Sequence, residues 1–179
     1  MMNSTGILPF FLLTFILLIA AIRDICFHKI PNRLTYPAMI AALIFHVCMN
    51  GTDGFLFSLK GLGLGIAILA IPYLLGGMGA GDVKLLGVVG AFLGPVGVVV
   101  AFLGTAIVGG IYALTLLILH KQLEKTLLPY LTMIYPFVLK DGSLLGSNKS
   151  RKKPRLYYGV AIALGTILSI CFRIPNLIN

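Results

Sequence analysis

The sequence predicts an all-α, polytopic membrane protein of about six transmembrane helices, with both termini facing out. Three observations predict it. Of 179 residues, 59% are hydrophobic and only 11% are charged, where a soluble domain carries about 25% charged residues. The mean hydropathy is +1.03. The apolar residues also gather into runs on the scale of the ~20 residues that cross a bilayer. So few charges cannot cover a water-soluble fold, which excludes a cytosolic globular domain, and the hydrophobicity excludes a disordered chain. The length leaves no room for a separate soluble domain, so residues 1–179 are read as one transmembrane domain.

The apolar runs are 6–22, 34–49, 61–77, 85–119 and 156–172, separated by Gly, Pro, Asn and charge clusters. No Lys or Arg precedes Arg23, so the first run lacks the positive flank of a signal peptide and is kept as a span. The second opens after Pro31-Asn32, a rigid turn and a candidate cap. An outer loop follows, with Asp53 as a turn residue. Gly61 and Gly65 in the third run, and Gly90 and Gly94 in the fourth, have the GxxxG spacing that lets helix backbones approach closely in lipid.

The fourth run would make a helix of ~52 Å, too long for one crossing. Gly94-Pro95 interrupts it, and proline cannot continue a helix ladder. Two crossings leave every Lys and Arg except Lys60 and Arg173 on one face; a single crossing would move those from Lys121 to Arg155 across. The positive-inside rule prefers the first arrangement. It places loops 23–33, 78–84 and 120–155 in the cytoplasm and makes the fourth span, 85–94, a short one of ~15 Å, buried among neighbours or set where the bilayer thins. Residues 126–139, with Pro129 and Pro136, read as an interfacial or re-entrant segment. The basic stretch 147–155 reads as an anchor on anionic headgroups, or as a substrate contact.

The net charge of +9 does not point to nucleic acid, because the basic residues flank apolar runs; membrane lipid is the partner they fit. Cys26, Cys48 and Cys171 form no CxxC pair or zinc spacing and read as free thiols. His28, His46 and His120 lack a carboxylate or thiol to complete a metal set. HExxH and a Ser-His-Asp arrangement are both absent.

Five acidic residues remain. Asp53 and Asp141 read as turn residues, and Glu124 as a surface partner of Lys121 and Lys125. Asp24 and Asp82 differ: one ends the first span, the other begins the fourth, and the topology brings both to the same membrane edge, where charge is costly. Each has a plain structural alternative. Asp82 could cap its helix, and Asp24 could pair with Arg23 or Lys29. But four of the six residues before Asp82 are glycine, more than a cap needs, and glycines let another chain approach closely.

The segment GAGDVKLLGVVGAFLG resembles the GxGD motif of the type IV prepilin peptidase family of intramembrane aspartyl proteases, through Gly79-Ala80-Gly81-Asp82. Asp24 ahead of Ile30-Pro31-Asn32 resembles the family's other aspartate and its turn. YYGVAIALGTIL, residues 157–168, is similar to its last helix, with Tyr157 where proline is common. The resemblance spans about residues 10–170. It implies an endopeptidase with Asp24 and Asp82 catalytic, and Gly79, Gly81 and Lys84 at the active-site loop. Pro31 and Asn32 form a structural turn. No cofactor or metal is implied. The implied substrate is a prepilin or pseudopilin, with a short basic leader and a hydrophobic helix, cleaved at the cytoplasmic face of a bacterial inner membrane. The larger members carry a CxxC-bearing zinc insert and methylate the new N-terminus; this chain is similar to the short tight-adherence form, and neither zinc nor methyl transfer is implied. In hydrolysis by such a pair, two nearby carboxylates share a proton. One takes a proton from water while the other polarises the scissile carbonyl.

Lys84 also reads as a topology anchor, since residues two apart on a helix do not face each other. Two other functions fit two edge aspartates: a small proton- or cation-coupled transporter, and a scaffold of a pilus or secretion assembly.

Overall fold

The structure, a computed structural model, describes residues 8–27, 29–75, 78–119 and 158–178. All elements among them are helices: α1 (Leu8–Phe27), α2 (Asn32–Leu74), α3 (Ala80–Leu119) and α4 (Tyr158–Ile178). The first three are long and apolar enough to cross a membrane, and α4 contains a shorter apolar stretch, Tyr158–Cys171. Residues 1–109 with 157–179 form one compact unit, and 110–156 a second. The described part of the second, 110–119, continues α3 as helix. His28, His120, Glu124, Asp141, the segment 126–139 and the basic stretch 147–155 lie outside the described residues.

Two of the helices are broken. In α2 the backbone leaves helical geometry at Asn50 and Gly51, with Gly51 at φ 57°, a left-handed conformation suited to glycine. A side chain at Gly54 would strike the His46 carbonyl. Eight residues span about 12 Å along a straight helix, so the chain folds back on itself here. The expected outer loop NGTDGF, residues 50–55, is therefore corrected: helix resumes after Gly51, and Asp53 is an exposed residue of its first turn.

The second break is at Gly94, φ 72° and ψ −176°, a region essentially closed to other residues. The sequence predicts this break, and the chain reverses at it. Gly109 packs on Ala161, and Gly159 two residues before it bonds to Asp24, which interacts with Asp82. Residues 82 and 109 are thus at the same end of the unit, where one continuous helix would part them by about 40 Å.

The break frees two carbonyls. Pro95 has no N–H for the Ala91 carbonyl, and the turn removes the partner of the Phe92 carbonyl. A buried Ser58 hydroxyl donates to Ala91 O at 2.8 Å, and His46 Nε2 lies 3.1 Å from Phe92 O. A carbonyl only accepts, so Nε2 carries the proton. Both segments of α2 thus supply the bonds that α3 loses at its reversal, which an apolar environment demands. Ser58→Ala is expected to cost about 1 kcal/mol, read as a lower unfolding midpoint in detergent. An unchanged midpoint would contradict the assignment.

The segment 85–94 is the centre of the unit. Leu85, Leu86, Val88, Val89 and Ala91 are wholly buried, which covers the full circumference of a helix. Residues 85–94, expected as a short fourth span, are buried among neighbours. They pack through glycine, as the GxxxG spacing predicts. Gly61 meets the backbone of Gly90, Gly65 meets Leu86, and Gly87 meets Ile66; α2 and α3 run antiparallel there. The later part of α3 meets α4 in the same way, Gly104 against Gly165. α1 contributes one stripe, Leu13, Ile16, Leu17, Ala20 and Asp24, and packs on α2 and α4.

Candidate active site

Asp24 lies inside the last turn of α1, which runs to Phe27 rather than ending before residue 23. Its carboxylate is buried, 8% exposed, and Oδ2 accepts the Gly159 N–H from α4 at 3.0 Å. That amide is in the first turn of its helix, where backbone donors have no partner within the helix.

Asp82 is in the first turn of α3, which begins at Ala80. It too is buried, 9% exposed. Its Oδ2 accepts the Gly79 N–H at 3.2 Å, while its own N–H donates to the Gly79 carbonyl at 3.1 Å. This is the return half of a capping box. Asp82 is therefore not the N-cap expected ahead of the helix, nor in a loop reaching residue 84; it lies inside the first turn and bonds back to Gly79, and that bond does not use up the group, which also lies near a second carboxylate. Asp24 and Asp82, 58 residues apart in sequence, are close enough for the charge on Asp24 to act on Asp82. An N-terminal cap has no use for a like-charged partner, and burying two acids together is costly unless their shared ionisation is used.

The residues read as an active-site loop separate. Gly79 and Ala80 are exposed beside the buried Asp82, leaving one side of the turn uncovered. Gly81 faces inward instead: a side chain there would lie 3.1 Å from Ile30 Cβ. The start of α3 therefore rests on the strip that joins α1 to α2.

Pro31 ends that strip in extended conformation, φ −72° and ψ 139°, and its carbonyl accepts the Leu34 N–H at 3.0 Å. Asn32 is not the cap of α2, contrary to expectation; it is the first helical residue, and Pro31 takes the cap position. Its Oδ1 accepts Lys84 Nζ at 2.8 Å, and the same ammonium lies 4.9 Å from the Tyr36 ring centroid. Lys84 thus ties the helix of Asp82 to the helix that follows Asp24. Lys84→Met keeps the stem and loses both interactions. It is expected to lower stability by about 1 kcal/mol, the bond being exposed; a midpoint equal to wild type would contradict the clamp.

Gly159 was not among the residues singled out by the sequence. Its segment was, through YYGVAIALG, but a glycine carries no side-chain chemistry to mark it. Cys26, Cys48 and Cys171 are unpaired and exposed. Among the described residues no group of three or more His, Cys, Asp and Glu is arranged to hold a metal ion.

The type IV leader peptidase family model matches residues 11–114, which contain both aspartates, the Asn32–Lys84 contact and the Gly94 reversal. A prepilin leader peptidase/N-methyltransferase of Bacillus subtilis (strain 168) is 29% identical over 132 residues, 71% of this chain and 52% of its own length. One of Aeromonas salmonicida (strain A449), of the same name, is 30% identical over 132 residues, 70% of this chain and 45% of its own. The chain spans about half the length of the curated relatives it matches. No solved structure matches. The family match covers more than half of the sequence and the helices that carry both buried aspartates, and on it the chain belongs to the type IV leader peptidase family.

Proposed function

We propose that the chain is an intramembrane aspartyl endopeptidase that removes the short basic leader of prepilin-like proteins, with Asp24 and Asp82 as its hydrolytic pair. One observation carries the reading: two buried carboxylates from separate helices interact at one end of the unit, beside an exposed glycine turn. With one proton between them, the ionised carboxylate takes a proton from water. The water oxygen attacks the scissile carbonyl carbon, whose oxygen is polarised by the protonated carboxyl. The tetrahedral intermediate then expels the amine, which leaves with a proton from the pair.

The topology that suits this reading has six spans: α1, the two segments of α2, the two segments of α3, and α4. The reversals at Gly51 and Gly94 support it. The basic residues near the site support a cytoplasmic position for the aspartates, where the leader of a prepilin would lie. The enzyme sits in a bacterial cytoplasmic membrane, in contact with anionic lipid. The two relatives are named for methyl transfer as well; the aspartate pair accounts for hydrolysis alone, and hydrolysis alone is proposed.

The test is cleavage of a panel of prepilin-like substrates by the purified protein in detergent or lipid, with the cut site read by mass spectrometry. Wild type is expected to release the leader at its boundary with the hydrophobic helix. Ion flux altered by Asp24→Asn or Asp82→Asn in vesicles, with no cleavage of any substrate, would replace the reading with a transporter.

A further inference from the structure

We propose that Gly159 is a positioning residue for the aspartate pair: its missing side chain lets the first turn of α4 set a backbone amide on the Asp24 carboxylate and hold it toward Asp82. The proposal rests on the reading of Asp24 and Asp82 as the hydrolytic pair.

The geometry is specific to this glycine. A Cβ at residue 159 would stand 2.9 Å from Asp24 Oδ2, 3.1 Å from Cγ and 3.2 Å from Cβ. All three neighbours belong to one carboxylic side chain. The packing glycines differ, because at Gly61, Gly90 and Gly104 the nearest atoms are backbone of another helix. Those glycines let helices approach; Gly159 lets a helix approach a carboxylate. The contact joins residues 135 apart in sequence and is buried, so water does not substitute for the amide if the carboxylate turns away.

Nothing in the helix itself calls for glycine. Residue 159 is helical, and alanine is the better helix former. The amide of the first turn donates to an anion equally well in both, and the positive end of α4 faces that anion in both. The added methyl group alone differs. Its obstacle is one carboxylic side chain, from Oδ2 at 2.9 Å to Cβ at 3.2 Å, so the adjustment falls on Asp24 and on the position of its carboxylate. A catalytic group displaced by a fraction of an ångström loses rate without loss of fold.

The experiment compares wild type, Gly159→Ala and Gly63→Ala on one prepilin-like substrate, measuring kcat and KM separately with the melting temperature of each protein. Gly63 has nothing within 4 Å of an added Cβ and serves as the control for a helical Gly→Ala change. Gly159→Ala is expected to lower kcat about tenfold or more, keep KM within about threefold, and melt no lower than wild type. Gly63→Ala is expected to keep the wild-type kcat. A kcat for Gly159→Ala within about twofold of wild type overturns the proposal. So does a lower melting temperature together with lost activity, because Gly159 would then be a packing residue only. Absence of cleavage by wild type overturns the underlying peptidase reading, and this proposal with it.

Discussion

Asp24→Asn and Asp82→Asn are each expected to lower the rate of leader cleavage by about 10²–10⁴-fold or more while leaving the protein folded. The size follows from the chemistry, since an amide neither takes a proton from water nor donates one as a carboxyl does. The preserved fold follows from the hydrogen bonds. Asp24 accepts from Gly159 and Asp82 from Gly79, and an asparagine carbonyl oxygen accepts in the same place. Replacement also removes one of two buried ionisable carboxyls set near each other, so the unfolding midpoint is expected to hold or rise. The check is kcat against melting temperature for each variant. Cleavage at the wild-type rate by either variant would remove that aspartate from the mechanism.

A large effect on stability is expected at Gly90. A Cβ there would collide with the Gly61 carbonyl and lie 3.2 Å from Leu62 N. These are backbone atoms of a neighbouring helix, so relief requires the second segment of α2 to move away from the most buried part of α3. Gly90→Ala gains about 1 kcal/mol in helix propensity. Overpacking against fixed backbone costs about 1–3 kcal/mol, and separating α2 from α3 would also strain the Ser58–Ala91 bond one residue along. A net loss of about 1–2 kcal/mol follows for alanine, and leucine at the same position is expected to prevent folding. Denaturant unfolding in detergent micelles reads this directly. Gly90→Ala at or above wild-type stability would contradict the close crossing.

The sequence made the Gly94 reversal legible because its chemistry is local. Proline forfeits a ladder bond wherever it sits, and glycine takes a conformation that other residues do not. The two aspartates were legible for a related reason: acids are so few in this chain that each required an account. The reversal at Asn50–Gly51 reads in sequence as a longer loop, because Asp53 looks like a turn residue. An aspartate serves equally well in the first turn of a helix, and composition alone does not distinguish the two. Asn32 shows the same limit. Its type and place suggested a cap, and only the three-dimensional position of Lys84 explains its side chain otherwise. The pairs that join distant parts of the chain, His46 with Phe92, Ser58 with Ala91 and Asp24 with Gly159, leave no trace in local sequence. They depend on helix register, which arises from the glycine crossings.

The most direct test of the central claim compares the double variant Asp24→Asn/Asp82→Asn with each single variant, on one substrate under one condition. Two carboxylates that share one proton act as a unit, and losing either should forfeit nearly everything the pair contributes. The double variant is therefore expected to retain about the same residual rate as the slower single variant. Losses that multiply, each aspartate contributing its own factor independently of the other, would contradict a shared hydrolytic pair.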